Sequence, residues 1–154
     1  MTEPARCLVH ATAIAADGRA ALIMGPSGSG KSDLALRTIT APFLDDGRPV
    51  ALALVADDQV QVERAGDRLI AAPPPTIAGK LEVRGLGIMT VAHLARADLV
   101  LAVRLAPAAT IERLPAVGAL HDVLGIGLPI FEIDGRQASA AARLVLAILR
   151  LGRP

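Results

Sequence analysis

The feature that most constrains the fold of this chain is the octapeptide GPSGSGKS, which occupies residues 25–32. It matches the pattern G-x-x-x-x-G-K-[ST] at every fixed position. The apolar run 20–24 precedes it, and a helical pattern over 32–40 follows it until Pro42, as this motif requires. The pattern therefore predicts a phosphate-binding loop between a strand and a helix. An ordinary glycine-rich turn capped by serine would not require this context.

Each residue type in the loop has a role in binding nucleotide phosphates. Glycines let backbone N–H groups turn toward phosphate oxygens, and the following helix adds its positive dipole end. Lys31 is expected to reach the β/γ-phosphates, and the Ser32 hydroxyl can ligate Mg²⁺. The predicted binding residues are Gly25, Pro26, Ser27, Gly28, Ser29, Gly30, Lys31 and Ser32. The loop alone fits many NTPases and kinases.

Two adjacent carboxylates, Asp57 and Asp58, follow the seven apolar residues 50–56. Such a run predicts a strand buried on both faces, with the carboxylates at its carboxyl end as in a Walker B element. One carboxylate could organise a metal ion while the other takes a proton from an attacking hydroxyl. An isolated Asp-Asp pair is more often a solvated strand end, but the neighbouring phosphate loop favours catalysis.

The segment LEVRGLGI, residues 81–88, places Glu82 and Arg84 two positions apart. On a strand these side chains face the same side, so both could point at metal and phosphate. Gly85 and Gly87 would let the backbone come close to a ligand. In isolation, the same segment also fits a surface ion pair beside a flexible turn.

The rest of the sequence predicts one domain over residues 1–154, with a mixed α/β sheet and helices packed on it. A hairpin is expected at 60–64 and 68–72, because alternating apolar residues flank a turn. The other predicted elements are strands at 81–84, 98–105 and 128–133, one or two helical turns at 91–97, and a helix at 137–149.

Composition argues against several classes of partner. Lys and Arg total 16 against 15 Asp and Glu, and Tyr and Trp are absent, so neither a broad grip on nucleic acid nor base stacking is expected. No apolar run approaches the roughly 20 residues of a membrane helix. Residues 1–9 lack the apolar core of a secretion signal, and a single cysteine, Cys7, suits a reducing compartment. We therefore predict a cytoplasmic chain without nucleic-acid or membrane partners.

These pieces together resemble the catalytic domain of HPr kinase/phosphorylase, a family that phosphorylates a serine of the phosphocarrier protein HPr and can reverse the reaction. The resemblance covers nearly the whole chain. It rests on His10, the loop 25–32, the sequence VADD at 55–58 and above all LEVRGLGI at 81–88. It implies a P-loop kinase-like mixed sheet flanked by helices, ATP as phosphoryl donor, Mg²⁺, HPr or a paralogue as partner, and a homo-oligomer, commonly a hexamer.

The resemblance also implies roles for the residues of the two loops and the acidic pair. Lys31 would hold the ATP phosphates, with Arg84 beside it stabilising charge on the transferred group. Asp58 would be the base for the HPr serine, and Asp57 would assist it. The Mg²⁺ ligands would be Ser32 and Glu82.

Two further catalytic residues follow from the resemblance, and two departures qualify it. His10 matches a family active-site histidine, although Ala11-Thr12 follows where a Gly-Val pair is usual, and Arg113 looks like a later catalytic arginine. The chain resembles a short form that lacks the N-terminal domain of longer members. Asp134-Gly135-Arg136 stands where the family has an arginine- and proline-containing loop linked to dephosphorylation. Kinase activity is thus implied more directly than phosphorolysis to pyrophosphate.

Two other functions fit the phosphate loop. A P-loop kinase of a small metabolite usually carries several arginines on a mobile lid, and residues 85–130 show no such cluster. A nucleotide-binding regulatory module without turnover would not need acidic groups beside the loop. The presence of Asp57, Asp58 and Glu82 argues against it.

Overall fold

The computed structural model describes residues 2–154, which form two α-helices, a large curled sheet and two short hairpins. The helices are α1 Lys31–Thr40 and α2 Ala140–Leu151. The strands are β1 Arg6–His10, β2 Thr12–Ala16, β3 Arg19–Met24, β4 Leu44–Asp45, β5 Arg48–Pro49, β6 Leu52–Ala56, β7 Gln59–Ala65, β8 Arg68–Ala72, β9 Lys80–Val83, β10 Gly87–Thr90, β11 Ala97–Leu105, β12 Leu120–Val123 and β13 Ile126–Ile133.

The large sheet is mixed, with the order β1-β7-β8-β11-β3-β2-β6 and with β13 joining β11 to β12. Strands β3, β11 and β13 pair in parallel, and the other pairs in this sheet are antiparallel. Parallel strands end at one edge of a sheet, where open α/β sheets bind ligands. The loops after Met24, Leu105 and Ile133 therefore begin at a common edge.

Each face of the sheet has its own aliphatic core. On one face, both helices pack against the strands, and Leu34 of α1 shares a buried cluster with Leu144 of α2 and with Ile23 and Leu101. On the other face, the curled strands close on one another. The predicted mixed sheet with packed helices is confirmed, although both helices lie on the same face rather than on either side.

Most predicted elements are present. The strand at 20–24, the helix at 32–40, the hairpin at 60–72 and the strands at 81–84, 98–105 and 128–133 correspond to β3, α1, β7–β8, β9, β11 and β13. The C-terminal helix begins three residues later than expected, at Ala140. Six strands were not predicted: β1, β2, β4, β5, β10 and β12. Of these, β10 is exposed along its whole length.

Two predictions about local structure were wrong. Residues 91–97 form no helical turn, because their backbone groups pair elsewhere: Leu54 donates its N–H to Ala92 O at 2.9 Å, and Leu94 donates to Leu54 O at 2.9 Å. The strand predicted at 50–56 begins only at Leu52. Its last three residues, up to Ala56, are buried, whereas Leu52 and Ala53 are only partly buried.

Candidate active site

The phosphate loop lies between β3 and α1, as its sequence predicts. Gly28 and Gly30 have φ of +79° and +97°, a conformation that side chains other than glycine rarely adopt. The loop can therefore turn tightly into the helix, whose first turn leaves amides without intrahelical acceptors. These amides and the helix dipole make the loop a site for an anion.

Lys31 is folded against its own loop. Its Nζ donates to the carbonyl oxygens of Gly25 at 2.8 Å and Pro26 at 3.0 Å, and the residue is only 7% exposed. A phosphate group would offer this ammonium a charged acceptor, and charge-assisted hydrogen bonds are about twice as strong as neutral ones. The cation is thus already held beside the place where a phosphate would bind.

Asp57 is a buried carboxylate that connects three parts of the fold. Its Oδ1 accepts hydrogen bonds from the hydroxyls of Ser32 at 2.6 Å and Thr12 at 2.9 Å. Its Oδ2 accepts the backbone N–H of Glu82 at 3.3 Å. Since the Ser32 hydroxyl gives its single proton to Asp57, its lone pairs remain available for a cation.

Asp58 has the opposite environment. Its φ is +66°, and Gln59 N–H donates to Asp57 O at 2.7 Å across it, which closes a three-residue turn. A non-glycine residue in this region of φ is strained and is found preferentially at functional sites. The turn leaves the Asp58 side chain 69% exposed, with Oδ1 3.6 Å from Nδ1 of His10.

Glu82 and Arg84 lie on the hairpin formed by β9 and β10. Its turn contains Gly85, and Gly87 is the first residue of β10; both glycines have φ near +90°. Leu86 closes the turn by donating its N–H to Val83 O at 2.9 Å. Glu82 and Arg84 both line the cleft beside the phosphate loop. The hairpin therefore contributes part of the wall of the cleft.

The cleft has a volume of about 470 Å³, within the range of small-molecule sites. Its lining residues are Thr12, Ser27, Gly28, Gly30, Lys31, Ser32, Asp33, Leu36, Asp58, Glu82, Val83 and Arg84. Three carboxylates and two cations face it, so a bound triphosphate would need a divalent cation to offset the repulsion. Within residues 2–154, no group of three or more His, Cys, Asp or Glu could hold a metal by itself. The residues present suit Mg²⁺ held partly by phosphate oxygens and water.

Comparison with known proteins agrees with this geometry. Residues 4–151 match the model of the HPr Serine kinase C-terminal domain. The chain belongs to this family.

Curated relatives of this HPr Serine kinase C-terminal domain are named HPr kinase/phosphorylase. One from Cupriavidus metallidurans is 33% identical over 155 residues, covering 94% of this chain and 45% of the relative. One from Clostridium tetani is 38% identical over 86 residues, covering 56% of this chain and 25% of the relative. The chain thus spans less than half the length of the curated relatives it matches.

The fold is shared with a solved structure, the Hpr(Ser) kinase/phosphatase from Coxiella burnetii. The two superpose with a TM-score of 0.76 at 22% identity, over 94% of this chain and 97% of the other. The predicted P-loop kinase-like fold is therefore confirmed. Among residues 2–154, neither helix is long and apolar enough to cross a membrane.

Six of the predicted site residues are not among those that line the cleft: His10, Gly25, Pro26, Ser29, Asp57 and Arg113. Arg113 is exposed in the segment between the 3-10 turn Ala108–Thr110 and β12. Arg136 follows β13 at the sheet edge where the phosphate loop begins, and its Nε and Nη2 lie 3.2 Å from the carboxylate oxygens of Asp134. The catalytic role of Arg113 stays a prediction.

Sequence reasoning missed Thr12, although a signal for it exists. Thr12 is the first residue of a strand in which all five residues are buried, and it is the only polar one among them. A hydroxyl in such a position has to find a hydrogen-bond partner. The apolar residues 13–16 after Thr12 could have indicated a buried hydroxyl in need of a partner. They could not have identified that partner, because Asp57 is 45 positions away in the chain.

Proposed function

We propose that this chain is an ATP- and Mg²⁺-dependent protein serine kinase that phosphorylates the phosphocarrier protein HPr or a paralogue of it. The observation that carries the proposal is the cleft, which Asp58, Glu82 and Arg84 line together with residues of the phosphate loop. A nucleotide phosphate and an acceptor hydroxyl can meet between them. Membership of the HPr Serine kinase C-terminal domain family supports this assignment over other P-loop functions.

Bound Mg·ATP supplies the transferable γ-phosphoryl group and part of the charge neutralisation. Asp58 takes the proton of the acceptor hydroxyl at Oδ2 as the new O–P bond forms and the bond to the β-phosphate oxygen breaks. Lys31 leaves the loop carbonyls for the phosphates, and together with Arg84 it stabilises negative charge on the transferred group. The exposed position of Asp58 allows a protein acceptor to reach it.

Ser32 and Glu82 are the proposed ligands of Mg²⁺. The Ser32 oxygen is oriented by its donation to Asp57, and the Glu82 backbone is tied to the same carboxylate. Asp57 therefore assists catalysis by fixing both ligands relative to each other. Phosphate oxygens and water would complete the octahedral shell that Mg²⁺ requires.

The remaining proposals concern the reverse reaction and the state of the chain. In phosphorolysis, protonated Asp58 returns its proton to the serine oxygen while inorganic phosphate attacks phosphoserine, giving pyrophosphate. His10, 3.6 Å from Asp58, and Arg113 are proposed to take part in catalysis. Residues 1–154 act as one catalytic domain, in the cytoplasm and as a homo-oligomer such as a hexamer.

The decisive experiment is to incubate the protein with ATP, Mg²⁺ and HPr and to locate the phosphate by mass spectrometry. We expect phosphoserine on HPr, and no transfer to HPr in which the acceptor serine is replaced by alanine. Lys31→Ala should abolish transfer, since a phosphate-binding cation is lost. Nucleotide binding without transfer would indicate a regulatory module, and phosphorylation of a metabolite but not of HPr would indicate a small-molecule kinase.

A further inference from the structure

Thr12 lies at the junction of the two active-site carboxylates. It is the first residue of β2, it is fully buried, and the four residues that follow it in the strand are apolar and buried. Its side chain nevertheless lines the cleft beside the phosphate loop. The Thr12 hydroxyl is thus the one polar side-chain group of β2, and it lies beside the cleft.

The Thr12 hydroxyl contacts both acidic residues. As a donor, Oγ1 lies 2.9 Å from Oδ1 of Asp57, and as an acceptor it lies 3.5 Å from the backbone N–H of Asp58. A hydroxyl can do both because it carries one proton and two lone pairs. One side chain therefore links the buried carboxylate to the strained residue whose own carboxylate faces the cleft.

We propose that Thr12 is a positioning residue for phosphoryl transfer, which fixes the Asp57 carboxylate that orients Ser32 and anchors the backbone that presents Asp58. This inference rests on the proposed function. In this inference Thr12 neither contacts the substrate nor transfers a proton in the reaction. Its effect passes through Asp57 and Asp58.

Thr12 stands where the family that the chain resembles usually has valine, so the proposed role is specific to this chain. The physical reason is the freedom that the Asp57 carboxylate has without the Thr12 hydroxyl. The terminal torsion of aspartate is broad, so the Ser32 bond and the Glu82 amide alone would leave the carboxylate plane of Asp57 free to swing. A third partner on Oδ1 restricts that motion and thereby restricts the Ser32 oxygen. At Asp58, whose φ of +66° is sparsely populated, an extra backbone contact helps to maintain the strained turn.

A purely structural role would give a different result. If the hydroxyl only satisfied a buried carboxylate, its removal would lower the melting temperature and leave catalysis of the folded protein unchanged. Thr38 provides the matched control, because it is also buried, and its hydroxyl donates to Leu34 O at 2.7 Å within α1. Thr38→Val removes an equivalent hydroxyl that touches neither carboxylate.

The test compares Thr12→Val, Thr12→Ser and Thr38→Val in HPr phosphorylation. For Thr12→Val we expect kcat to fall by about tenfold or more, as for the loss of a hydrogen bond to a charged group, while KM for ATP changes by less than about twofold because the loop amides remain. Thr12→Ser should recover most of kcat. Thr38→Val should keep the wild-type kcat.

Two measurements do not depend on transfer to HPr. In the nucleotide-free protein, Thr12→Val should speed hydrogen exchange at the Asp58 amide, and with a non-hydrolysable ATP analogue it should raise the Mg²⁺ concentration needed for tight binding. Absence of transfer by the wild-type protein would refute the proposed function, whereas these two measurements would still decide the role of Thr12. The inference is overturned if Thr12→Val changes only the melting temperature, or if Thr12→Ser is as impaired as Thr12→Val.

Discussion

Ser32 and Asp57 are joined by a 2.6 Å hydrogen bond from the hydroxyl to Oδ1, although 25 positions separate them in the chain. The bond links the first turn of the helix after the phosphate loop to the end of β6. Because Oδ2 of the same carboxylate holds the backbone of Glu82, both proposed Mg²⁺ ligands depend on Asp57. One buried carboxylate would therefore hold the two proposed metal ligands in position relative to each other.

Replacing Asp57 with Asn tests this dependence. The amide keeps the shape of the side chain but removes its charge and leaves one acceptor oxygen. The hydrogen bonds from Ser32 and Thr12 therefore become weaker, and the Glu82 N–H loses its acceptor. We expect the Mg²⁺ concentration for half-maximal activity to rise by about tenfold or more, because hydrogen bonds to a charged acceptor are weakened or lost. A titration of activity with Mg²⁺ at saturating ATP measures it.

The control for Asp57→Asn is nucleotide binding without metal. The loop amides and Lys31 do not contact Asp57 directly, so the affinity for ATP in the presence of EDTA should change little. A wild-type Mg²⁺ requirement in Asp57→Asn would contradict the proposed dependence of the metal ligands on this carboxylate.

Replacing Asp58 with Asn should give a different phenotype. Asn tolerates positive φ, and the Asp58 side chain is 69% exposed, so we expect the melting temperature to change little. Loss of the proton acceptor should lower kcat by roughly 10²–10⁴-fold, the usual contribution of general acid–base catalysis. Both directions of the reaction should be affected, since they share this group.

Thermal denaturation, ATP binding and turnover of Asp58→Asn together separate the possible outcomes. Normal melting and normal ATP affinity with slow transfer would support Asp58 as the base. Near-normal turnover would exclude that role and would leave Asp58 with only a structural role in the turn.

Replacing Glu82 with Gln removes one charged oxygen from the proposed metal site. The backbone N–H that donates to Asp57 is retained, so the hairpin should keep its position. We expect a higher Mg²⁺ requirement, because Mg²⁺ prefers charged oxygen ligands. An unchanged metal dependence would exclude Glu82 as a ligand of Mg²⁺.

The gathering of the sequence motifs around one candidate site could be predicted in part, because the residues concerned occur in short, contiguous segments. The phosphate loop, the acidic pair and the segment 81–88 each carry their chemistry within eight residues or fewer. The different environments of Asp57 and Asp58 could not be predicted. They depend on the positive φ of Asp58 and on contacts from Thr12 and Glu82, which are distant in sequence. The segment 91–97 was mispredicted for the same reason, since Leu54 supplies its backbone partners.

Arg136 offers a test of the reverse reaction. It lies after β13 at the edge of the sheet where the phosphate loop begins, and its side chain is 80% exposed while it pairs with the buried Asp134. If it helps to position inorganic phosphate or phosphoserine, Arg136→Ala should slow pyrophosphate formation from phosphorylated HPr more than it slows ATP-dependent phosphorylation. Parallel assays in the two directions measure the ratio. Equal slowing in both directions would show that Arg136 has no selective role.

The same substitution should make the protein more sensitive to acid, which serves as an internal check that the ion pair exists. The Arg136 side chain, its backbone N–H and that of Ala108 hold the pKa of Asp134 well below its usual range. A depressed carboxyl pKa stabilises the fold above the unfolded-state pKa of about 4, and this stabilisation is lost as pH falls toward the native pKa. Arg136→Ala removes the guanidinium but leaves both backbone donors, so the pKa should rise only part of the way. We therefore expect the acid unfolding midpoint of Arg136→Ala to move to higher pH. Near neutral pH, Arg136→Ala should lose less stability than Asp134→Ala, because Asp134→Ala leaves the Ala108 N–H without its acceptor.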